Sequence, residues 1–155
     1  MEPTSEYAKF CDRTNAQVVD MIRELKPMFW FMENPVGGLR KMGFMQGLPR
    51  YTVTYCQYGD SRMKPTDIWT NHPLPNFKPP CHYGDPCHEP APRGSKTGTQ
   101  GLKGHKERSV IPAQLCEHIV RICEDGAKYR EFFCEADKFL GAGGKAQAAP
   151  GADCL

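Results

Sequence analysis

The stretch Met28-Phe29-Trp30-Phe31-Met32-Glu33-Asn34-Pro35 runs five apolar side chains, three of them aromatic, straight into an acid, an amide and a proline. The apolar run is too short for a separate helix. Its lack of alternation implies cover on both faces, as in a parallel sheet. The reading is a buried central strand over 28–32 with Glu33 just beyond its carboxyl end, where open α/β sheets place their ligands. Pro35 restricts Asn34 to extended geometry, so the chain cannot turn directly into a helix. A carboxylate beside such a strand can hold its proton and act as a donor. The plainer alternative is a loop acid that caps the Gly37-Gly38 turn or pairs with Arg40.

Working outward, Thr14 and Gln17 have capping-box spacing, and Val18, Val19, Ile22 and Leu25 follow at helical spacing until Pro27. This predicts a helix over 15–26, and residues 1–13 show no clear period. Helix then buried strand is half of an α/β repeat. Tyr51-Thr52-Val53-Thr54-Tyr55 and Asp67-Ile68-Trp69-Thr70 read as two further strands, paired as an antiparallel hairpin at a sheet edge. From Asn71 to Gly104 the chain is rich in Pro, Gly, Lys, His and Cys, a length of loop that usually carries function or is disordered. Pro112 sits at a favoured first position for a helix with Leu115, Ile119 and Ile122 as its stripe. A second helix is expected over 127–140, followed by a Gly/Ala-rich disordered tail.

The fold class expected is therefore α/β, a partial Rossmann-like sheet with flanking helices and a long irregular loop. Residues 1–70 would hold the first helix and the strands, 71–108 the loop-rich region, 109–140 the closing helices and 141–155 the tail. The central strand needs neighbours on both edges, yet nothing before Thr14 resembles a strand. A complementing chain or an upstream segment would have to supply them.

At 155 residues the chain suits one core, and a net charge of +2 is too slight to argue for a nucleic-acid partner by itself. No apolar run approaches the roughly 18 residues of a membrane span. Glu2 and Glu6 make the N-terminus unlike a secretory signal. The expectation is a cytoplasmic protein, so its eight cysteines read as free thiols or metal ligands rather than a disulfide framework.

Three further constellations could carry chemistry. Arg62 and Lys64 alternate on the approach to a strand and could meet phosphate or a base carbonyl, or merely protect a solvated edge. Cys81-His82 and Cys87-His88 form two Cys-His pairs that could supply zinc ligands, in a spacing unlike a standard knuckle. Between Arg93 and Arg108, Lys96, Lys103 and Lys106 alternate with Gly, Ser and Thr. Small residues there would let backbone amides and cations meet a DNA backbone.

Taken in order, these pieces resemble the C-terminal half of DNA cytosine-5 methyltransferases, particularly the phage-associated type. The landmarks are Phe29–Pro35 with Val36-Gly37-Gly38-Leu39-Arg40, then Tyr51–Asp60, Arg62–Asn71 and Ser109–Leu115. Glu33, Asn34 and Pro35 match that family's Glu-Asn-Pro motif. The resemblance implies that Glu33 bonds the ring nitrogen of a cytosine flipped out of the duplex. Gly59 followed by Arg62-x-Lys64-x-Thr66 has the layout of the next motif, with Lys64 where an arginine would contact the base carbonyl. Ile111-Pro112-Ala113-Gln114-Leu115 looks like the helix that closes the domain. DNA would be the partner, S-adenosylmethionine the methyl donor, and restriction-modification the setting.

The departures matter as much. The family's nucleophile is a cysteine in a Pro-Cys loop upstream of the acid. Cys11 is the sole upstream cysteine, and Phe10 rather than a proline stands immediately before it. No Gly-rich strand-turn for the methyl donor is visible either. The expected activity, methyl transfer to cytosine carbon 5, is thus incomplete in this chain. The alternatives are a non-enzymatic DNA-binding remnant, or a small zinc module.

Overall fold

The computed structural model describes residues 5–90 and 104–139, with side chains described as far as Lys128 and that of His105 left out. The first helix, α1, spans Glu6–Leu25, beginning nine residues before the predicted start. Ser5 caps it, its hydroxyl oxygen accepting from the Ala8 N–H at 3.1 Å. Thr14, which has the spacing of a cap, instead lies inside the helix and donates to the Phe10 carbonyl. The early turns were hidden because Tyr7 and Phe10 face outward and are exposed. At the other end Lys26 adopts left-handed geometry at φ 45°, and its N–H closes on the Ile22 carbonyl.

Strands β1 (Phe31–Pro35), β2 (Arg50–Thr54) and β3 (Pro65–Thr70) form one sheet in the order β1-β3-β2, antiparallel throughout. The β2–β3 hairpin is as expected. The rest of the sheet corrects the sequence reading in two ways. It is not parallel, and β1 is not central: β3 takes one edge, and no strand pairs with the other among the described residues. No Rossmann-like arrangement is formed by them. The two-sided cover holds only in part, since Met28 is exposed and Phe31 to Asn34 are half-buried. Phe31 joins a core of Val53, Tyr55, Tyr58, Ile68 and Leu115 on one face, while Met32 joins Val19, Leu39, Met45 and Trp69 on the other. An unbroken apolar run reports packing on both faces; it says nothing about strand direction.

The strand also sits three residues later than predicted. Asn71 clamps the lead-in, accepting from the Trp30 N–H and donating to the Met28 carbonyl, both at 3.0 Å. Glu33 is consequently the third residue of β1, opposite Ile68, and not a residue beyond its end.

Two short 3-10 turns follow β1 (Gly38–Lys41 and Gly43–Met45), and from the first of them Arg40 reaches Asp67 on the α1 face of the sheet. Its guanidinium makes a forked pair with this fully buried carboxylate at 2.7 and 2.5 Å, and Thr52 donates to the same group. Arg40 is therefore engaged by Asp67, not by Glu33. Residues 71–90 contain no helix or strand, as the sequence suggested.

A short helix, α2 (His105–Ser109), precedes α3, a continuous helix over Ala113–Phe139. The predicted pair of helices is one. Pro112 occupies its cap, the carbonyl accepting from Leu115 and Cys116. Leu115, Ile119 and Ile122 do form the inward stripe. Two buried histidines bolt α3 to the loop after β3: His72 Nε2 lies 3.0 Å from the Ile122 carbonyl, and His118 Nε2 2.8 Å from that of Pro75. The predicted tail at 141–155 lies outside the described residues, and so does the 93–103 part of the basic segment at 93–108. No helix among the described residues is long and apolar enough to cross a membrane.

Candidate functional site

Two groups of reactive side chains flank the 3-10 turn Tyr55–Tyr58, which joins β2 to the approach of β3. Tyr55 is fully buried, yet its hydroxyl emerges beside half-buried Glu33 and donates to Oε1 at 3.0 Å. Burial, then the adjacent Glu33 charge, pushes the Tyr55 phenol well above its ordinary range, so it stays a donor. The ammonium of Lys64 stands 4.5 Å from the centre of the Tyr55 ring and donates to the Arg108 carbonyl at 2.9 Å. Burial lowers the Lys64 ammonium, and the charge of Glu33 partly offsets this. Glu33, Tyr55 and Lys64 thus form one connected polar group, and Tyr55 is the member that sequence reasoning missed. Its place at the end of the β-branched run Thr52-Val53-Thr54 made it look like an ordinary strand residue.

The other expected DNA contacts fall as follows. Arg62 is buried, with its guanidinium forked onto Asp60 and a further N–H donated to the Glu107 carbonyl at 3.1 Å. Arg62 and Lys64 together therefore engage carbonyls at the end of α2, where cations complement the helix dipole. Thr66 is wholly buried in β3. Asn34, on the opposite face of β1 from Glu33, donates to the Pro35 carbonyl at 2.8 Å. Lys106 is exposed on α2. Arg93, Lys96 and Lys103 lie outside the described residues. Cys11, the upstream cysteine, lies inside α1 and not on a loop. A groove of about 550 Å³ opens along β2 beneath the 73–80 segment, lined by Arg50, Tyr51, Phe77 and Lys78 among others. Glu33 is not part of its lining.

On the other side of the same turn, Cys56, Cys81, Cys87 and His88 converge, their donor atoms all within 4.8 Å of one another. This cluster could hold a metal ion. It keeps three of the four residues expected from the two Cys-His pairs and replaces His82 with Cys56. His82 is exposed, and its N–H is tied to Asp85 at 2.7 Å. Cys56 could not be found by spacing, because 24 residues separate it from Cys81. Burial, then the hydrogen bond with Cys81, pushes the Cys56 thiol up to about 12.

Comparison with known protein families, curated proteins and solved structures finds no match to this chain.

Proposed function

We propose that this chain is the base-binding part of a DNA cytosine-5 methyltransferase-type protein, with Glu33 as the carboxylate that meets the ring nitrogen of an extruded cytosine. The observation that supports it is the fixed position of Glu33. The carboxylate rides on a strand, is half-buried, and is oriented by the Tyr55 hydroxyl at 3.0 Å with Lys64 over the same ring. A base-binding acid needs such a rigid mount, because an acid on a swinging loop would lose most of its discrimination. Lys64 is the cation nearest in this group to serve a base carbonyl.

S-adenosylmethionine would supply the methyl group, but the described residues do not fit it. Gly37 and Gly38 follow β1, and Gly38 opens only a four-residue 3-10 turn. The donor site and the nucleophile therefore belong, on this reading, to a complementing chain or segment. The edge of β1 left without a strand among the described residues is consistent with one. Purified chain 1–155 is expected not to incorporate labelled methyl groups into DNA, and robust incorporation would overturn this division of labour.

The base-binding role is tested by equilibrium binding to two duplexes, one fully matched and one with cytosine opposite an abasic site, where extrusion is cheap. The wild-type chain should prefer the second duplex, and Glu33→Gln should abolish the preference while leaving the salt dependence unchanged. Equal binding of both duplexes by wild type and variant would leave only the DNA-binding remnant. No DNA binding at all would defeat both.

A further inference from the structure

We infer that Cys56, Cys81, Cys87 and His88 bind one structural zinc ion, which pins the 81–88 turn to the 3-10 turn between β2 and β3. The argument starts from distances. A tetrahedral zinc with bonds of about 2.3 Å to sulfur and about 2.0 Å to nitrogen separates its ligands by roughly 3.8 Å for two sulfurs and roughly 3.5 Å for sulfur and nitrogen. Cys56 and Cys87 sulfurs are 3.6 Å apart, and His88 Nδ1 is 3.7 Å from both Cys81 and Cys87. The Cys56–Cys81 edge is shorter, at 3.0 Å, and need only open by under about an ångström to reach that geometry. Three edges of the tetrahedron thus lie within about 0.2 Å of the ideal, and one of them, Cys56–Cys87, joins the 3-10 turn to the 81–88 turn.

The donor set is equally selective. Three sulfurs and an imidazole, with no carboxylate or carbonyl among them, suit zinc and disfavour calcium or magnesium. Four protein ligands leave no open position for water, which marks a structural centre and not a catalytic one. The surroundings orient the ligands. The buried Thr54 hydroxyl oxygen accepts from the Cys81 N–H at 2.9 Å, and the Gln57 amide lies 3.8 Å from the Cys87 sulfur.

The loop is shaped to deliver them. His82 and Asp85 bond to each other in both directions, and Gly84 supplies the φ of +96° that turns the chain back. Immediately after His88, the Glu89 N–H donates to the Ser61 carbonyl at 2.8 Å, fastening the exit. A disulfide between Cys56 and Cys81 is the rival explanation of their approach, but it would leave the convergence of Cys87 and His88 unaccounted for. This inference does not depend on the base-binding reading.

The test is metal analysis of the full chain purified without chelator. Wild type and His82→Ala should each carry one zinc per chain. Cys56→Ser and Cys87→Ser should retain roughly tenfold less, or lower still, after dialysis. Should those variants fail to fold, cobalt titration of the wild-type chain decides. A thiolate-to-cobalt charge-transfer band with intense tetrahedral d–d absorption supports the site. An octahedral cobalt spectrum, loss of zinc in His82→Ala, or thiol counting that finds Cys56 and Cys81 joined as a disulfide would each overturn it.

Discussion

Asp60 shows how a single carboxylate can govern the response to acid. Burial would raise it, but the Arg62 guanidinium and backbone N–H outweigh that and hold it below its ordinary value. A carboxyl lowered in the folded state contributes stability above its unfolded pKa of about 4, and loses it as pH falls through the folded value. Urea unfolding at several pH values should therefore show Asp60→Asn less stable than wild type near neutrality. The gap should close well below about pH 4; a gap that stays constant down to about pH 2 would contradict the assignment. At this scale the sequence was partly legible. Glu33, Cys81, Cys87 and His88 could be singled out from type and neighbourhood. Tyr55 and Cys56 could not, since an aromatic and a thiol beside a strand are ordinary core residues until distant partners arrive. Arg62 and Lys64 were visible as cations, yet their partners at the end of α2 lie more than forty residues away.

The elements teach a similar lesson through their joints. Helix α3 carries Gly126 in its middle, and the sequence reading took that region for a break between two helices. The structure gives a different reason. A Cβ there would lie 2.8 Å from both His72 Nε2 and Phe29 Cζ, and these rings are themselves in tilted contact at 4.6 Å between centroids. Alanine normally improves a helix by about 1 kcal/mol over glycine. Here the ring of His72 is held by the Ile122 carbonyl and cannot yield freely. Gly126→Ala should cost about 1–3 kcal/mol net, as over-packing does, read as a lowered midpoint in thermal or urea unfolding. A stabilised variant would show that the α3 contact is looser than described. Likewise, α1 was legible where its inward residues Val19 and Ile22 recur, and illegible in its first turns, where Tyr7 and Phe10 are left outside.

Across the whole molecule, β3 is the keel. It pairs on both sides, and Thr66, Asp67, Ile68, Trp69 and Thr70 are all essentially inaccessible. Hydrogen exchange should therefore be slowest in peptides covering 65–70 and faster in those covering 31–35 and 50–54. Equal protection of 31–35 would mean that β1 has gained a second neighbour. That helices and strands are mixed around one sheet was readable from hydrophobic pattern; the direction and order of the strands were not, because pairing depends on connections that periodicity does not encode. The rim of β1 that no strand covers among the described residues has a further consequence for anyone handling this polypeptide. An open strand edge recruits any extended backbone that drifts past, so concentrated solutions should tend to self-adhere through this seam. Pro35, which offers no N–H, and the charge of Glu33 then act as gatekeepers that slow such zipping.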